Sequence, residues 1–394
     1  MEDRSSPGLD DFSLAKGGPL FEVFVRTRLM RPDLSPTGRR ILFLVLFTWF
    51  PLLLLSAWQG LAIGGGLKIP FLFDFTAAVR FLVCIPLLVI AETLIDSRSR
   101  EVIGYFFTSG ILEEKELPSF VAVIRKVARL RKSGLAEGVM IGLVIVAVLF
   151  LRREFSGGSS TWQVLVSSVG AERTLAGWWY VLVGLPIFQF FMLRWLWRIA
   201  IWYWFLWRTS KLDLRLVPTH PDMAGGLGIL GLAQAKFGMV IFAVSAVIAA
   251  DMGRDIIFGE ASLFDFQVFV IGYVLLILIA FLSPLLIFTP KLFAVKRKGL
   301  LEYGSLAAHY VRDFQRKWVK GEVPDGEALL GSADIQSLAD LGGSFEIVRK
   351  MKPIPIDLNT LIALAGSAVV PLLPLVLTVL PMDEIVRKVF SLLF

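Results

Sequence analysis

Long apolar runs separated by polar segments dominate the pattern along the chain. Seven of them approach or exceed the roughly 18 residues that a helix needs to cross a bilayer. These predicted spans lie at 41–63, 71–91, 134–151, 177–193, 235–250, 266–289 and 361–380. The last contains Pro371 and Pro374, which cannot continue an unbroken hydrogen-bond ladder, so we predict a kinked crossing. The pattern predicts an all-α, polytopic transmembrane helical bundle of six spans plus a proline-split seventh.

Lysine and arginine are concentrated between alternate spans. Of 40 such residues, 29 lie in segments 1–40, 92–133, 208–235 and 291–358, and only 7 lie on the other side. Cytoplasmic loops carry the excess of positive charge in membrane proteins, so this count predicts a cytoplasmic N-terminus. It divides the chain into a cytoplasmic N-terminal segment (1–40), a transmembrane domain (41–290), a cytoplasmic helical region (291–358), and the split span with an amphipathic tail (359–394).

Two polar segments have helical periodicity. In residues 117–132, apolar side chains recur every three or four positions, which favours a helix that packs within the protein over one that lies on anionic lipid. A similar stripe over 303–318 predicts that the sixth span continues into the cytoplasm as an amphipathic rod. We see no internal repeat in the sequence, which weakens an inverted-repeat transporter fold.

The composition supports a membrane protein and argues against several kinds of functional site. The chain is 56% apolar and 19% charged, against about 45–50% and about 25% in soluble domains. With one cysteine and two histidines, neither a disulfide scaffold nor a metal site is expected. Walker, Gly-x-Ser-x-Gly and His-Glu-x-x-His motifs do not occur, and we predict no cofactor. The basic residues follow the membrane topology, so no nucleic-acid partner is expected.

The segment 212–228, LDLRLVPTHPDMAGGLG, is the most unusual in the chain. The first hypothesis is a rigid turn whose glycines let two helices approach closely. The second makes His220 and Asp222 a proton-sensitive or ligand-binding gate at a cytoplasmic entrance, because histidine titrates near neutral pH. The third is a nucleophilic or metal-hydrolase site. The glycines predicted to pack helices together are Gly225, Gly226 and Gly228.

The amino-acid sequence of this segment also resembles that of other proteins. Together with the later LGGSFEIVRKMKPIPIDLNT and the proline-split last span, it resembles a group of bacterial polytopic integral membrane proteins with no established activity. The similar phrases are spread over roughly the C-terminal half of the chain. The resemblance implies a multi-pass protein of the bacterial inner membrane and implies no mechanism.

Three arginines lie in or beside apolar runs, where ionisable residues are functional candidates by default. Arg80 is about ten residues inside the second predicted span with no acid three or four positions away. It either reaches a membrane face, pairs with a carboxylate on another helix, or lines a pore. Arg194 and Arg198 share one helix face among tryptophans. They lie either at headgroup depth or along a path for an anion or phosphate headgroup.

These features predict passage of an ion or small solute, as a channel or secondary transporter, by a chain that contacts the lipid bilayer and is expected to form a homo-oligomer. The first alternative is an enzyme acting on a lipid-linked or phosphorylated substrate, with His220 and Asp222 as acid and base and Arg194 or Arg198 on phosphate. The second alternative is a membrane scaffold or accessory subunit. Enzyme activity is the less expected class.

Overall fold

The computed structural model describes residues 12–29, 31, 37–64, 66–151, 160–168, 170–259, 261–321 and 333–378. Regular structure in these ranges is helical, apart from a hairpin of β1 (Val164–Ser167) and β2 (Gly170–Arg173). The predicted all-α class is therefore confirmed.

Seven of the described helices, several built from consecutive segments, are long and apolar enough to cross a membrane. They are Thr37–Trp58, Phe75–Thr108, Glu114–Phe150, Leu175–Thr209, Gly228–Phe258, Leu263–Leu286 and Leu358–Thr378. Their lipid-length apolar surfaces make this a multi-pass membrane protein. Their number matches the seven predicted spans.

The α-helical segments are, in chain order, α1 (Pro19–Arg26), α2 (Thr37–Thr48), α3 (Phe50–Trp58), α4 (Phe75–Ala78), α5 (Ile85–Thr108), α6 (Leu117–Arg131), α7 (Gly134–Leu151), α8 (Leu175–Trp179), α9 (Leu185–Thr209), α10 (Gly228–Ala235), α11 (Gly238–Phe258), α12 (Gln267–Leu286), α13 (Thr289–Phe314), α14 (Ala333–Lys350) and α15 (Leu358–Val369). We call the end of the bundle where α2 begins and α5 ends its N-terminal end. The opposite end, where α3 ends and α4 begins, is the far end.

Two long helices are interrupted by the same backbone device. A π-helical turn, Val79–Cys84, joins α4 to α5, and a second, Tyr180–Gly184, joins α8 to α9. Each turn is followed by a proline, Pro86 or Pro186, which lacks an N–H and crowds the preceding turn of helix. The ladder is therefore shifted: the Ile85 amide donates to the Arg80 carbonyl, five residues earlier, and the Leu185 amide does the same to Tyr180.

These two helices share a short local pattern of helix cap, π-turn and proline. Leu82, Val83 and Pro86 recur 100 positions later as Leu182, Val183 and Pro186. The equivalent positions Asp74 and Thr174 both cap a helix, accepting hydrogen bonds from the Ala77 and Gly177 amides. The likeness is confined to the cap, the π-turn and the proline, so the absence of an internal repeat in the chain stays a prediction.

The amphipathic segments agree in part with expectation. Helix α6 buries Phe120, Val123, Ile124 and Val127, which confirms a helix packed within the protein. The rod predicted after the sixth span is interrupted: α12 ends at Leu286, and a short turn separates it from α13, which then packs along α14.

The last span changes its helix type at the prolines. Helix α15 is followed by a 3₁₀ segment, Val370–Thr378, that contains Pro371 and Pro374. Proline has no N–H to donate to an α-helical hydrogen-bond ladder, and this is the physical reason for the predicted kink. The predicted tail at 382–394 lies outside the described residues, and the crossing itself stays a prediction.

Candidate functional site

The two π-turns face each other in the far half of the bundle. A Cβ atom added to Gly184 would lie 2.8 Å from the Phe81 ring, so only a glycine admits this approach without a shift. The same Phe81 ring lies 6.0 Å from the ring of Tyr180 in an edge-on arrangement. The second π-turn therefore packs directly against the first.

Arg80 projects from the first π-turn into a polar cluster. Its guanidinium donates to both carboxylate oxygens of Asp251 on α11, at 3.1 and 3.3 Å, and to the Tyr180 hydroxyl of the other π-turn. Thr76 also donates to Asp251, at 2.9 Å. The structure thus places Arg80 in a pair with a carboxylate on another helix, one of the three alternatives. With 18% of the Arg80 side chain and 36% of Asp251 exposed, the pair is within reach of solvent.

This cluster borders a cavity of about 510 Å³ at the far end. Lys68, Asp74, Arg173, Tyr180 and Arg254 contribute to its wall. The Asp74 carboxylate is engaged there by the Trp162 indole N–H, at 2.8 Å. The cavity therefore has charges of both signs along its wall and the Arg80 cluster beside it.

A second charged cluster is almost fully buried towards the N-terminal end. Glu92 on α5 is 1% exposed and accepts from Arg198 on α9 at 2.7 Å. Its other oxygen lies 2.5 Å from Arg40 on α2, and Arg194 lies 3.6 Å from the first oxygen. Three buried cations thus surround one carboxylate. Arg194 and Arg198 do not have the solvated tips that the first interpretation expected, because Glu92 binds them in the core.

A strap formed by residues 12–18 covers this second cluster. Asp96 accepts hydrogen bonds from the backbone amides of Leu14 and Ala15, at 2.8 and 3.2 Å. The Ala15 carbonyl accepts from Arg198 at 3.2 Å, and the Ser13 carbonyl accepts from Arg131 at 2.6 Å. Part of the segment expected to be a simple cytoplasmic extension is therefore built into the bundle.

An apolar stretch of α5 separates the two clusters. Arg80 and Glu92 are twelve residues apart, which is about 18 Å along a helix at 1.5 Å per residue. The side chains between them that are fully buried are Phe81, Cys84, Ile85, Leu88, Val89 and Ala91. In this conformation an apolar, closely packed barrier separates the two clusters.

The segment 212–228 is organised by the carboxylate of Asp222. It accepts from the amides of Ala224, Gly226 and Gly228 at 2.8, 3.1 and 2.8 Å, and lies 2.8 Å from the His220 Nδ1. Burial alone would raise the pKa of Asp222, but these donors hold it below its ordinary value. The opposite ring nitrogen of His220 is 3.3 Å from the Tyr105 hydroxyl. The structure thus joins His220 and Asp222 as predicted, and adds Tyr105.

Two of the three glycines lie in a turn, where a Cβ at Gly226 would lie 2.8 Å from the Ile111 side chain. Their predicted part in helix packing stays a prediction. Gly225 and Gly226 have positive φ, 64° and 97°, and lie in the turn before α10. Gly228 begins α10, and a Cβ there would meet the Asp222 side chain at 3.0 Å. A close helix contact comes later, at Gly238, where a Cβ would lie 2.6 Å from Ser367. The turn needs glycine for its backbone conformation and for access to Asp222.

Sequence reasoning missed Glu92, Asp96 and Arg40. The second predicted span ended at residue 91, whereas the helix continues to Thr108 and carries both acids into the bundle. A usable signal was present: Glu92 and Asp96 are four residues apart, as are Arg194 and Arg198. Acids and bases with the same helical spacing on different helices can face each other. In the described part of the chain, no group of three or more potential ligands could hold a metal ion.

The sequence matches no protein-family model, and no curated protein or solved structure shows significant similarity to it.

Proposed function

We propose that the protein passes an ion or a small solute across the bacterial inner membrane, as a channel or secondary transporter, with its N-terminal end in the cytoplasm. The observation that carries the proposal is the pair of broken helices that meet at their π-turns beside Arg80, Asp251 and Tyr180. The far-end cavity is then the external vestibule, and the Arg80 cluster is its floor.

Broken helices support this function for a physical reason. A helix crossing lipid satisfies its backbone internally, so an irregular turn is tolerated where protein or a water-filled cavity surrounds it. Transporters place such interruptions at their binding sites, and π-bulges occur frequently at functional sites. Here both interruptions lie at the same depth and contact each other.

The charge distribution supports alternating exposure of two polar clusters. The Arg80 cluster is partly exposed, whereas the Glu92 cluster is buried under the strap. Between them lies the apolar stretch that contains Cys84. A path for a polar solute requires this stretch to separate or to become hydrated, and the buried charges supply the polar surface on its other side.

The alternative of an enzyme for phosphorylated substrates receives less support. In that alternative Arg194 or Arg198 binds the phosphate of the substrate. Both arginines instead bind Glu92, and they are about 5% exposed. His220 and Asp222 lie in a separate pocket at the N-terminal end. The proposed acid and base are therefore not adjacent to the proposed phosphate ligands.

The single cysteine of the chain provides a test that needs no knowledge of the solute. Only a thiolate reacts readily with a maleimide, and a thiol in a dry apolar core stays protonated. If the barrier becomes hydrated during function, Cys84 in reconstituted vesicles reacts with N-ethylmaleimide under native conditions. The modification then reduces the conductance of the vesicles in potassium chloride. A Cys84→Ala variant, which cannot be labelled, keeps its conductance in the reagent.

A second variant sets the upper limit for labelling. Ser305 is exposed on α13, so Cys84→Ala combined with Ser305→Cys should react at the rate of a free thiol. Reaction of Cys84 only after denaturation, together with vesicles as tight as protein-free ones, would overturn the proposal.

A further inference from the structure

A pocket of about 400 Å³ at the N-terminal end lies where three of the candidate spans end. Tyr105 is in the last turn of the Phe75–Thr108 span, Gly228 begins the Gly228–Phe258 span, and Asp357 precedes the Leu358–Thr378 span. A helix of about 20 residues just crosses the hydrocarbon, so its end marks the boundary with the headgroups. The 21-residue Leu358–Thr378 span begins directly after Asp357 in the pocket wall, which puts the pocket at the edge of the apolar band.

The wall of this pocket is apolar on the side of the spans. Ile229 and Leu232 are three residues apart on α10 and so share a face, and Pro355 and Ile356 continue the apolar surface. Leu232 is 45% exposed. An apolar face at this depth is where a lipid acyl chain would begin.

Two cations lie at the polar side of the pocket, Arg98 and Lys352. The Arg98 guanidinium pairs with Glu101 through one terminal nitrogen, while its buried Nε has no hydrogen-bond partner. Lys352 is fixed by its backbone amide, which donates to the Met223 carbonyl at 2.7 Å. Its ammonium forms no ion pair with any residue that the structure describes.

The two carboxylates of the pocket are already occupied by the protein. Asp222 holds three backbone amides and the His220 ring, and Asp357 caps α15 by accepting from the Thr360 amide at 2.9 Å. These donors stabilise both carboxylates in their ionised form, and a ligand does not displace them. Arg98 and Lys352 keep donors for a bound anion, and the Tyr105 hydroxyl and His220 ring border the same space.

We propose that this pocket binds the phosphate group of an anionic phospholipid, with Arg98 and Lys352 on the phosphate and the first acyl segment along Ile229 and Leu232. Basic pockets between membrane helices are known to take such headgroups. Inorganic phosphate shares the charged chemistry and lacks the apolar part, so the two sources differ in their dependence on Leu232. This proposal does not depend on the transport function.

The test measures the phosphatidylglycerol that the purified full chain retains. Protein is reconstituted in phosphatidylcholine vesicles with and without phosphatidylglycerol, extracted in mild detergent, and examined by native mass spectrometry. Loss of one charge-assisted contact should lower retention about tenfold, so Arg98→Gln with Lys352→Gln should remove it almost completely. Lys298→Gln removes the same charge from an exposed position on α13 and should have no effect.

Two further variants separate the possible outcomes. If the double variant fails to fold, Lys352→Gln alone carries the test, because it breaks no ion pair with the described residues. Leu232→Gln should reduce lipid retention and leave any binding of inorganic phosphate unchanged. Retention in the double variant equal to that of the parent would overturn the proposal. Full competition by inorganic phosphate, with no effect of Leu232→Gln, would overturn the lipid assignment.

Discussion

The two broken helices use one backbone design for opposite chemistry. Each begins with a side-chain cap, continues through a π-turn, and resumes after a proline. The first carries Arg80 in its π-turn and Glu92 further along, whereas the second carries Tyr180 and then Arg194 and Arg198. Arg80 thus finds one of its partners, and Glu92 two of its partners, on the other helix.

This difference shows how charges are tolerated inside the bundle. The Arg80 guanidinium binds the Tyr180 hydroxyl, and the Glu92 carboxylate binds Arg194 and Arg198. A buried charge without a partner is costly, so the pairing requires both helices at the correct relative height. The contact between the two π-turns, where Gly184 meets the Phe81 ring, fixes that relative height. The following experiments test how far the two helices depend on each other, from the largest expected effect to the smallest.

Neutralising the acid of the first helix should have the largest effect. Glu92→Gln leaves three buried arginines without their shared carboxylate, and breaking a buried ion pair from one side costs about 3–5 kcal/mol. We expect a large drop in the melting temperature in detergent, or no folded protein. Glu101→Gln, on the same helix but exposed, is the matched control and should stay near the parent. Equal melting temperatures for the two variants would mean that the cluster contributes no net stability.

The contact between the π-turns should be the next most sensitive feature. Gly184→Leu inserts a side chain against the Phe81 ring, and overpacking a filled core typically costs about 1–3 kcal/mol. Gly142→Leu on α7 has open space around its Cβ position and serves as the control. Phe81→Ala in the Gly184→Leu background should recover part of the loss. An additive double variant would show that the two π-turns do not contact each other in solution.

The Arg80–Asp251 pair should contribute less, because both side chains reach solvent. A double-mutant cycle of Arg80→Gln and Asp251→Asn should give a coupling energy of about 1 kcal/mol. The change in conductance should exceed the change in stability, since the pair lies at the floor of the proposed vestibule. A coupling energy near zero, with unchanged conductance, would remove the pair from the proposed path.

The smallest effect is expected in the segment 212–228. This segment follows the second broken helix, and no similar segment follows the first. The pKa of Asp222 is lowered in the folded protein, so its stabilising contribution is present at neutral pH and is lost as the pH falls below the ordinary value of 3.8. Asp222→Asn should therefore lower stability at pH 7 by about 1 kcal/mol, and the difference from the parent should shrink in acid. A difference that stays constant down to pH 3 would show that the carboxylate charge is not what holds the turn.

Part of the candidate site could be predicted from residue types and spacing. Arg80 stood out because a lone cation inside an apolar run needs a partner, and the segment around His220 and Asp222 stood out by its prolines and glycines. Glu92 and Asp96 could not be placed, because the apolar run ended before them while the helix did not. The backbone conformation of Gly226 could not be predicted either, since a positive φ is a property of the folded turn.

The sequence by itself determined the class of the protein. Apolar runs of bilayer length leave a helix as the structure that satisfies its own backbone, so the spans follow from hydropathy without any tertiary contact. Only the tertiary structure decided which charges meet, that two helices share a repeated interruption, and that the strap at residues 12–18 is buried. These features depend on the relative height and rotation of separate helices. Side-chain packing between elements sets that arrangement, and the local pattern along one chain segment does not encode it.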